Sequence, residues 1–554
     1  MLRFYKLLVV LAPSLVTHGT GCTDSDQGRG HQGEVTGVVA GSGVSNQAGM
    51  PSVAEALPRS GSSGPVSAAQ GGQMPMDLPD SSTTGSPSQS TPVDASPAPE
   101  NTMSAASGTG AMDAGQAESE AGPRKVVDNL SDKSLAMWGS SVCDGFSVPS
   151  GTGWPWTVEK RFAEIKGPKV LHVSTPGHAT DSKESTLERN KLKSADFVVV
   201  CLSLGNQGLG SATTEASAQA VVDSYLDDIL TDDSDSDGDP MSLVNYIKSL
   251  GAHPIVTLVY PMAEYNTLHC QHVVKANILQ QASGIPTVNH LGPTNAGNGF
   301  GEGDCTWANG RNAPINVQSD VRHPNTLGQD EMFYAFPPDL PFALASEIPF
   351  PQRPLTTDYI SLSQSMGPEP IRYTPEHAIH SYTMQFAFKA SSDGTLAAID
   401  LGMTRFLTIE VNTGAIRLVT DAGADALHSA APVTDNAWHD VAVTYSYVRQ
   451  KLALYLDGAL VGEHDAREGN SVRELFPRGF ILGGPGASGR PAAPSIVQAR
   501  DLFINRTSLH AMEVQERAKT AWVGAGSLDV YAPLRAIAPA ENRAQTLQMI
   551  KVQQ

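Results

Sequence analysis

The stretch ADFVVVCLSLGN, Ala195 to Asn206, is an apolar run that ends in small and polar residues. A strand with one face in water alternates apolar and polar side chains. A run without that alternation reads as a strand covered on both faces, as in the middle of a parallel sheet. The neighbouring segments agree. SLAMWGS (from Ser134), KVLHVSTPG (from Lys169) and HPIVTLVYP (from His253) read as further strands. Between them, WPWTVEKRFAEI (Trp154 to Ile165) has helical spacing, and EASAQAVVDSYLDDIL places Ala220, Val221, Tyr225 and Ile229 on one helical face. Strands alternating with helices predict an α/β domain over 126–346 with a mostly parallel sheet. Sites in such sheets gather at the carboxyl ends of the strands.

Beyond a proline-rich joint, EIPFPQRP at 347–354, the period changes from helical to twofold. YTMQFAF alternates Tyr382, Met384, Phe386 and Phe388. FLTIEVNTGAIRLVT reads as two strands around Asn412 to Gly414, and KLALYLDGALVG as a hairpin turning at Asp457-Gly458. Short strands with regular turns predict an all-β sandwich of the jelly-roll type over 355–523, with Trp438 in its core. Residues 524–554 carry no readable pattern.

Upstream, 23–125 is rich in Gly, Ser, Ala, Pro, Thr and Gln and has no Phe, Trp or Tyr. Such a segment cannot bury enough apolar surface to offset its ordering entropy, and is expected to be a disordered stalk. The first 22 residues combine Arg3 and Lys6 with an apolar run of about ten residues, too short to span a bilayer. They resemble a bacterial lipoprotein signal, which implies lipidation of Cys22. Gly19 stands where that pattern has Leu or Val, so ordinary signal cleavage stays open. Either way the chain is expected to be exported, anchored at the cell envelope (outer membrane or surface) or secreted. Net charge is -20, which argues against nucleic acid and anionic headgroups as partners. Of the other four cysteines, Cys270 and Cys305 follow polar sequence and are the disulfide candidates. Cys143 and Cys201 adjoin apolar segments and suit buried thiols.

The chemistry starts at MWGSSVCDGFSV, Met137 to Val148, where Gly-Ser-Ser follows a strand and Gly145 comes four residues after Ser141. A serine hydroxyl is a nucleophile only with a base and a stabilised oxyanion. Gly177 follows the second strand, and its amide can face a site. Asn206 ends the most apolar strand, where its side-chain NH2 suits an oxyanion. In SDVRHPNTLGQDEMF, Asp320 precedes His323 by three residues, close enough to orient an imidazole. Asp233, Asp235 and Asp237 begin a calcium loop, but its twelfth position is Val244 instead of the bidentate Glu. A solvated acidic loop is the alternative there. No cofactor is expected to be needed for catalysis, with calcium left open.

In order and placement these residues resemble the four blocks of the SGNH (GDSL-type) hydrolases, over about Ser134 to Phe342. The resemblance implies a flavodoxin-like three-layer α/β/α sandwich and a carboxylic ester hydrolase. Ser141 would be the nucleophile, His323 the base and Asp320 its orienting acid. The oxyanion hole would come from the N–H groups of Ser141 and Gly177 and the Asn206 side chain. Gly139-Ser140-Ser141 replaces the usual Gly-Asp-Ser, and Gln207 replaces an Asp. NAWHDVAVTYSYVRQKLALYLDG (from Asn436) and DLFINRTSLHAMEVQE (from Asp501) resemble laminin G-like, concanavalin A-like lectin domains. Together these imply an esterase acting on an acylated, O-acetyl-bearing glycan, with a lipid anchor in the membrane. The alternatives are a surface glycan-binding protein with an inactive esterase-like domain, and a lipase, for which no apolar lid is visible.

Overall fold

The computed structural model describes residues 126–552 except 147, 181–189, 233–240, 261, 263–264, 291–322, 355–357, 363–370, 421–424, 448, 467–473, 484–496, 520–521 and 537. The signal, the stalk, Cys22, Cys305, Asp320 and the trio Asp233, Asp235 and Asp237 lie outside the described residues.

The first part is built on five parallel strands: β1 Ser134–Gly139, β2 Lys169–His172, β3 Phe197–Cys201, β4 His253–Thr257 and β5 Thr287–Val288, in the order β2-β1-β3-β4-β5. That is the doubly wound order of flavodoxin-like sheets. The connections from β1 to β2 and from β2 to β3 leave on opposite sides of β1, so a crevice opens at the carboxyl ends of β1 and β3. Every residue of β3 is buried, as its unbroken apolar run requires. The helix Trp154–Ile165 has the bounds read from sequence. The helix Glu215–Leu230 buries Ala218, Val222, Tyr225, Leu226 and Ile229. Ala220 is exposed and Val221 half-buried, so the apolar face is turned from the predicted one. Ala218, Val222, Tyr225 and Ile229 are spaced i, i+4, i+7 and i+11, so they share one seam of the helix, with Leu226 at its edge.

The second part is a sandwich of two antiparallel sheets. One contains β7 Ile371–Tyr373, β9 Gly394–Gly402, β10 Arg405–Asn412, β11 Ala415–Val419, β12 Asp425–Pro432, β16 Gly479–Leu482 and β19 Ile550–Val552, in the order β12-β11-β10-β9-β16-β7-β19. The other contains β8 Tyr382–Ala390, β13 His439–Ser446, β14 Lys451–Leu456, β15 Ala459–Asp465, β17 Val497–Asn505 and β18 Leu528–Ala532, in the order β15-β14-β13-β8-β17-β18, and β6 Ile360–Leu362 also pairs with β17. Tyr382, Met384, Phe386 and Phe388 project into the core between the sheets, as their alternation predicts. The β14–β15 turn puts Asp457 at φ 52 and Gly458 at φ 77, the paired left-handed conformation that an Asp-Gly hairpin needs. Residues after 523, silent in sequence, supply a strand to each sheet: β18 pairs with β17, and β19 with β7. Trp438 is not in the core. It is half-buried at the surface, with the Arg500 guanidinium 4.3 Å above its ring and Tyr359 beside it.

The other faces of β8 are buried too. Thr383 Oγ1 donates to Thr507 O at 2.9 Å, and Gln385 Nε2 donates to Asp440 Oδ1 at 2.8 Å. The two parts are joined through buried polar groups. Glu513, on the helix Ala511–Lys519, accepts from Gln281 Nε2 at 2.9 Å and Asn289 Nδ2 at 3.0 Å. Ser527 N donates to Thr287 O at 3.1 Å, so the β17–β18 connection caps the edge strand β5. Arg506 Nε donates to Tyr334 O at 3.0 Å. The joint at 347–354 is fastened as well: Arg353 Nη2 lies 2.9 Å from Asp501 Oδ2. Among the described residues no helix is long and apolar enough to cross a membrane.

Candidate active site

Glycine at 139 is dictated by packing. A Cβ there would sit 1.9 Å from the Cys201 carbonyl oxygen, so β1 can run this close to β3 only without a side chain. The next amide, Ser140 N, donates to that same oxygen at 3.0 Å and fastens the end of β1 to the end of β3. The chain then enters a 3-10 turn over Ser141–Asp144, ended by Gly145 at φ 68. Gly145 and Gly153 face each other closely, since a Cβ on Gly153 would lie 2.5 Å from Gly145 Cα. Trp154 Nε1 donates to Val142 O at 3.1 Å and holds the turn from below. Gly139→Ala is expected to cost about 3 kcal/mol by overpacking and to displace Ser141. A thermal melt and the rate of serine labelling read the two effects separately.

His323 arrives from the far side. It precedes the helix Thr326–Ala335, which Asn325 caps by accepting from Gly328 N at 3.1 Å. One turn in, Gln329 Oε1 accepts the Trp154 amide at 3.0 Å. That buried bond ties the helix of the histidine to the helix that follows the serine turn. As a result Ser141 Oγ and His323 Nε2 are 2.6 Å apart, 182 residues apart in sequence. The Phe146 ring, about half exposed, lies 4.7 Å from the imidazole and forms an apolar wall beside it.

The two other blocks meet each other. Gly177, in the turn after β2, has φ 86, and a Cβ would touch nothing, so conformation alone calls for glycine. Asn206 is exposed beyond β3, and its Nδ2 donates to His178 O at 2.6 Å. That uses one amide hydrogen and leaves a second. Asp320, expected to orient His323, lies outside the described residues. Cys143, in the serine turn, and Cys201, at the end of β3, are buried free thiols, and burial pushes the Cys143 thiol well above its usual range. Cys270 is buried and disulfide-bonded, with its partner outside the described residues. His172 stacks on Trp156 at 3.6 Å and its Nε2 lies 3.1 Å from Glu159, while His269 joins the capping box of its own helix. Asp339, Glu376 and His377 lie within metal-ligand distance of one another. Both His377 nitrogens, however, are occupied, Nε2 by Asp339 Oδ1 at 3.1 Å and Nδ1 by Arg161.

The paired antiparallel sheets bring the comparison with known proteins. Residues 371–491 match the concanavalin A-like lectin/glucanases superfamily. The C-terminal sandwich is thus a laminin G-like, concanavalin A-like lectin domain. Solved structures similar to the chain include a SAP-like pentraxin from Limulus polyphemus, with 14% identity and a TM-score of 0.24 over 29% of this chain and 80% of that one. Another is the CBM40 of Ruminococcus gnavus IT-sialidase bound to α2,3-sialyllactose, with 17% identity and a TM-score of 0.23 over 29% and 97%. A third is mouse laminin α1 domains LG4-5, with 14% identity and a TM-score of 0.23 over 28% and 46%, so the chain spans under half of that fragment. No curated protein matches the chain.

Sequence reasoning did not single out Phe146, Trp154 or Gln329. A Phe after a turn reads as a core residue, and a Gln one turn into a helix carries no signal of its own.

Proposed function

We propose that the chain is an ester hydrolase directed to glycans, of the SGNH type. The lectin-like sandwich would hold a carbohydrate, and the α/β part would cleave a carboxylic ester on it, with O-acetyl the preferred acyl group. The observation that carries hydrolysis is the 2.6 Å contact of Ser141 Oγ with His323 Nε2. It is the geometry in which the imidazole takes the hydroxyl proton as Oγ attacks an ester carbonyl. The oxyanion that forms would be met by the N–H groups of Ser141 and Gly177 and by Asn206 Nδ2. His323 would then give its proton to the leaving alcohol. A water deprotonated by His323 would attack the acyl-enzyme, release the acid and return Ser141. Asp320 would orient the imidazole. A lipid on Cys22, followed by the stalk, would hold the enzyme at a surface; a coil of about 100 residues averages roughly 55 Å.

The comparisons back the second reading better than this one, because the superfamily match lies wholly in the sandwich. On that reading the chain is a surface glycan-binding protein whose esterase-like part is inactive. The serine–histidine contact favours hydrolysis, since a decayed site has no need to keep a hydroxyl against an imidazole. A fluorophosphonate added to the purified full chain separates the two. A single adduct, mapped by mass to Ser141, is the expected result. A folded protein that binds glycan and forms no adduct fits only the second reading.

A further inference from the structure

Away from Ser141, a cleft of about 350 Å³ opens between the helix Trp154–Ile165, the helix Thr326–Ala335 and the sandwich. We propose that it binds a small carboxylate carried on a sugar-sized ring, such as a hexuronic acid. This does not rest on the hydrolase reading.

The first helix presents Thr157, Lys160, Arg161 and Glu164 to the cleft, one stripe at helical spacing. Phe333 and Tyr334 form an opposite wall, and His377 with Ala378 closes the side from the sandwich. The volume is at the lower end for small-molecule sites and fits a monosaccharide, not a long chain.

The cationic groups decide the class of ligand. The chain carries a net charge of -20, so an anion is repelled unless a local group attracts it. Lys160 and Arg161 supply that attraction. Lys160 Nζ makes a 3.3 Å contact with Gly151 O, a long bond to a neutral carbonyl. Arg161 Nη1 reaches Glu164 at 2.8 Å, but that carboxylate is 65% exposed, so water screens the pair. Arg161 Nη2 donates to Nδ1 of His377, which places the imidazole proton on Nε2, facing Asp339. Arg506, the third cation, is offset by Asp529 and holds backbone carbonyls, so it shapes the floor. A carboxylate therefore has Lys160 and Arg161 as its partners. The aromatic wall suits the C–H face of a ring, which a bare anion lacks.

Calorimetric titration of the full chain with D-glucuronate, D-glucose and acetate tests this. Glucuronate should bind with a Kd on the order of 1 mM, the range for a ligand this small. Glucose, without the charge, and acetate, without the ring, should each bind at least about 10-fold more weakly. Lys160→Glu reverses the charge of an exposed side chain, and Ala378→Trp fills the cleft from its exposed rim; each should remove glucuronate binding. Thermal melts of both variants show whether the fold is kept. Glucose binding as tightly as glucuronate would overturn the proposal, as would acetate doing so. So would undiminished glucuronate binding in folded Ala378→Trp, or no binding to the wild type.

Discussion

Ser141→Ala is expected to lower turnover of a short-chain acyl ester by on the order of a million-fold, with melting temperature and circular dichroism unchanged. The size follows from what is removed. Without Oγ there is no covalent intermediate, and the oxyanion donors alone leave a residual rate about a thousand-fold above water. His323→Ala should be about as damaging, because an alkoxide forms too rarely at neutral pH without a base 2.6 Å away. The double variant should be no worse than either single one, since the two groups act in one step. The fold should tolerate the first change well. Ser141 opens a short turn held by Ser140 N on Cys201 O and by Trp154 on Val142 O, and neither bond uses its hydroxyl. Activity that survives in Ser141→Ala would sink the assignment. Loss in Ser141→Ala with full activity in His323→Ala would remove the histidine from the mechanism.

The parts of this molecule that were legible in the sequence are those set by local rules. The run through Val198, Val199 and Val200 announces a strand covered on both faces, and it is the central strand of the parallel sheet. The Asp457-Gly458 pair needs two left-handed residues, and the hairpin is there. Ser141, Gly177 and Asn206 could be ordered because each follows a strand, and strand ends in such a sheet share one edge. The meeting of Ser141 with His323 could be expected but not measured, since it depends on the bond from Trp154 N to Gln329, 175 residues away. Residues 524–554 were illegible because β18 and β19 are short strands, and β19 is completed only by β7, far upstream. Trp438 was misread because a tryptophan between strands is usually buried, whereas here Arg500 covers its ring at the surface. The junction left no trace at all. Arg506 and Tyr334 O are 172 residues apart, and nothing in either neighbourhood marks the other.

That junction carries the largest stability prediction. Arg506→Met is expected to cost about 3–5 kcal/mol, the range for leaving one partner of a buried ion pair uncompensated. Arg506 and Asp529 side chains are each 2% exposed, with Nη1 3.2 Å from Oδ2. Burial already raises the Asp529 carboxyl above its usual range, and the arginine opposes that shift. With the arginine gone, Asp529 keeps the Tyr373 hydroxyl at 2.5 Å as a donor and is driven toward its protonated form. The Tyr334 and Ala378 carbonyls lose a donor as well. Asp529→Asn in the same chain removes the orphaned charge, so the double variant should regain part of the loss. It cannot regain all of it, because the carbonyls stay unserved. Arg506 also reaches from the end of β17 to the helix Thr326–Ala335, so its loss should separate the melting of the two parts. Calorimetry should then resolve two transitions where the wild type gives one. A single transition at the wild-type temperature would mean that the junction rests on Glu513 and Ser527 instead. In that case Glu513→Ala, which strips the acceptor from Gln281 and Asn289, should be the variant that splits the melt.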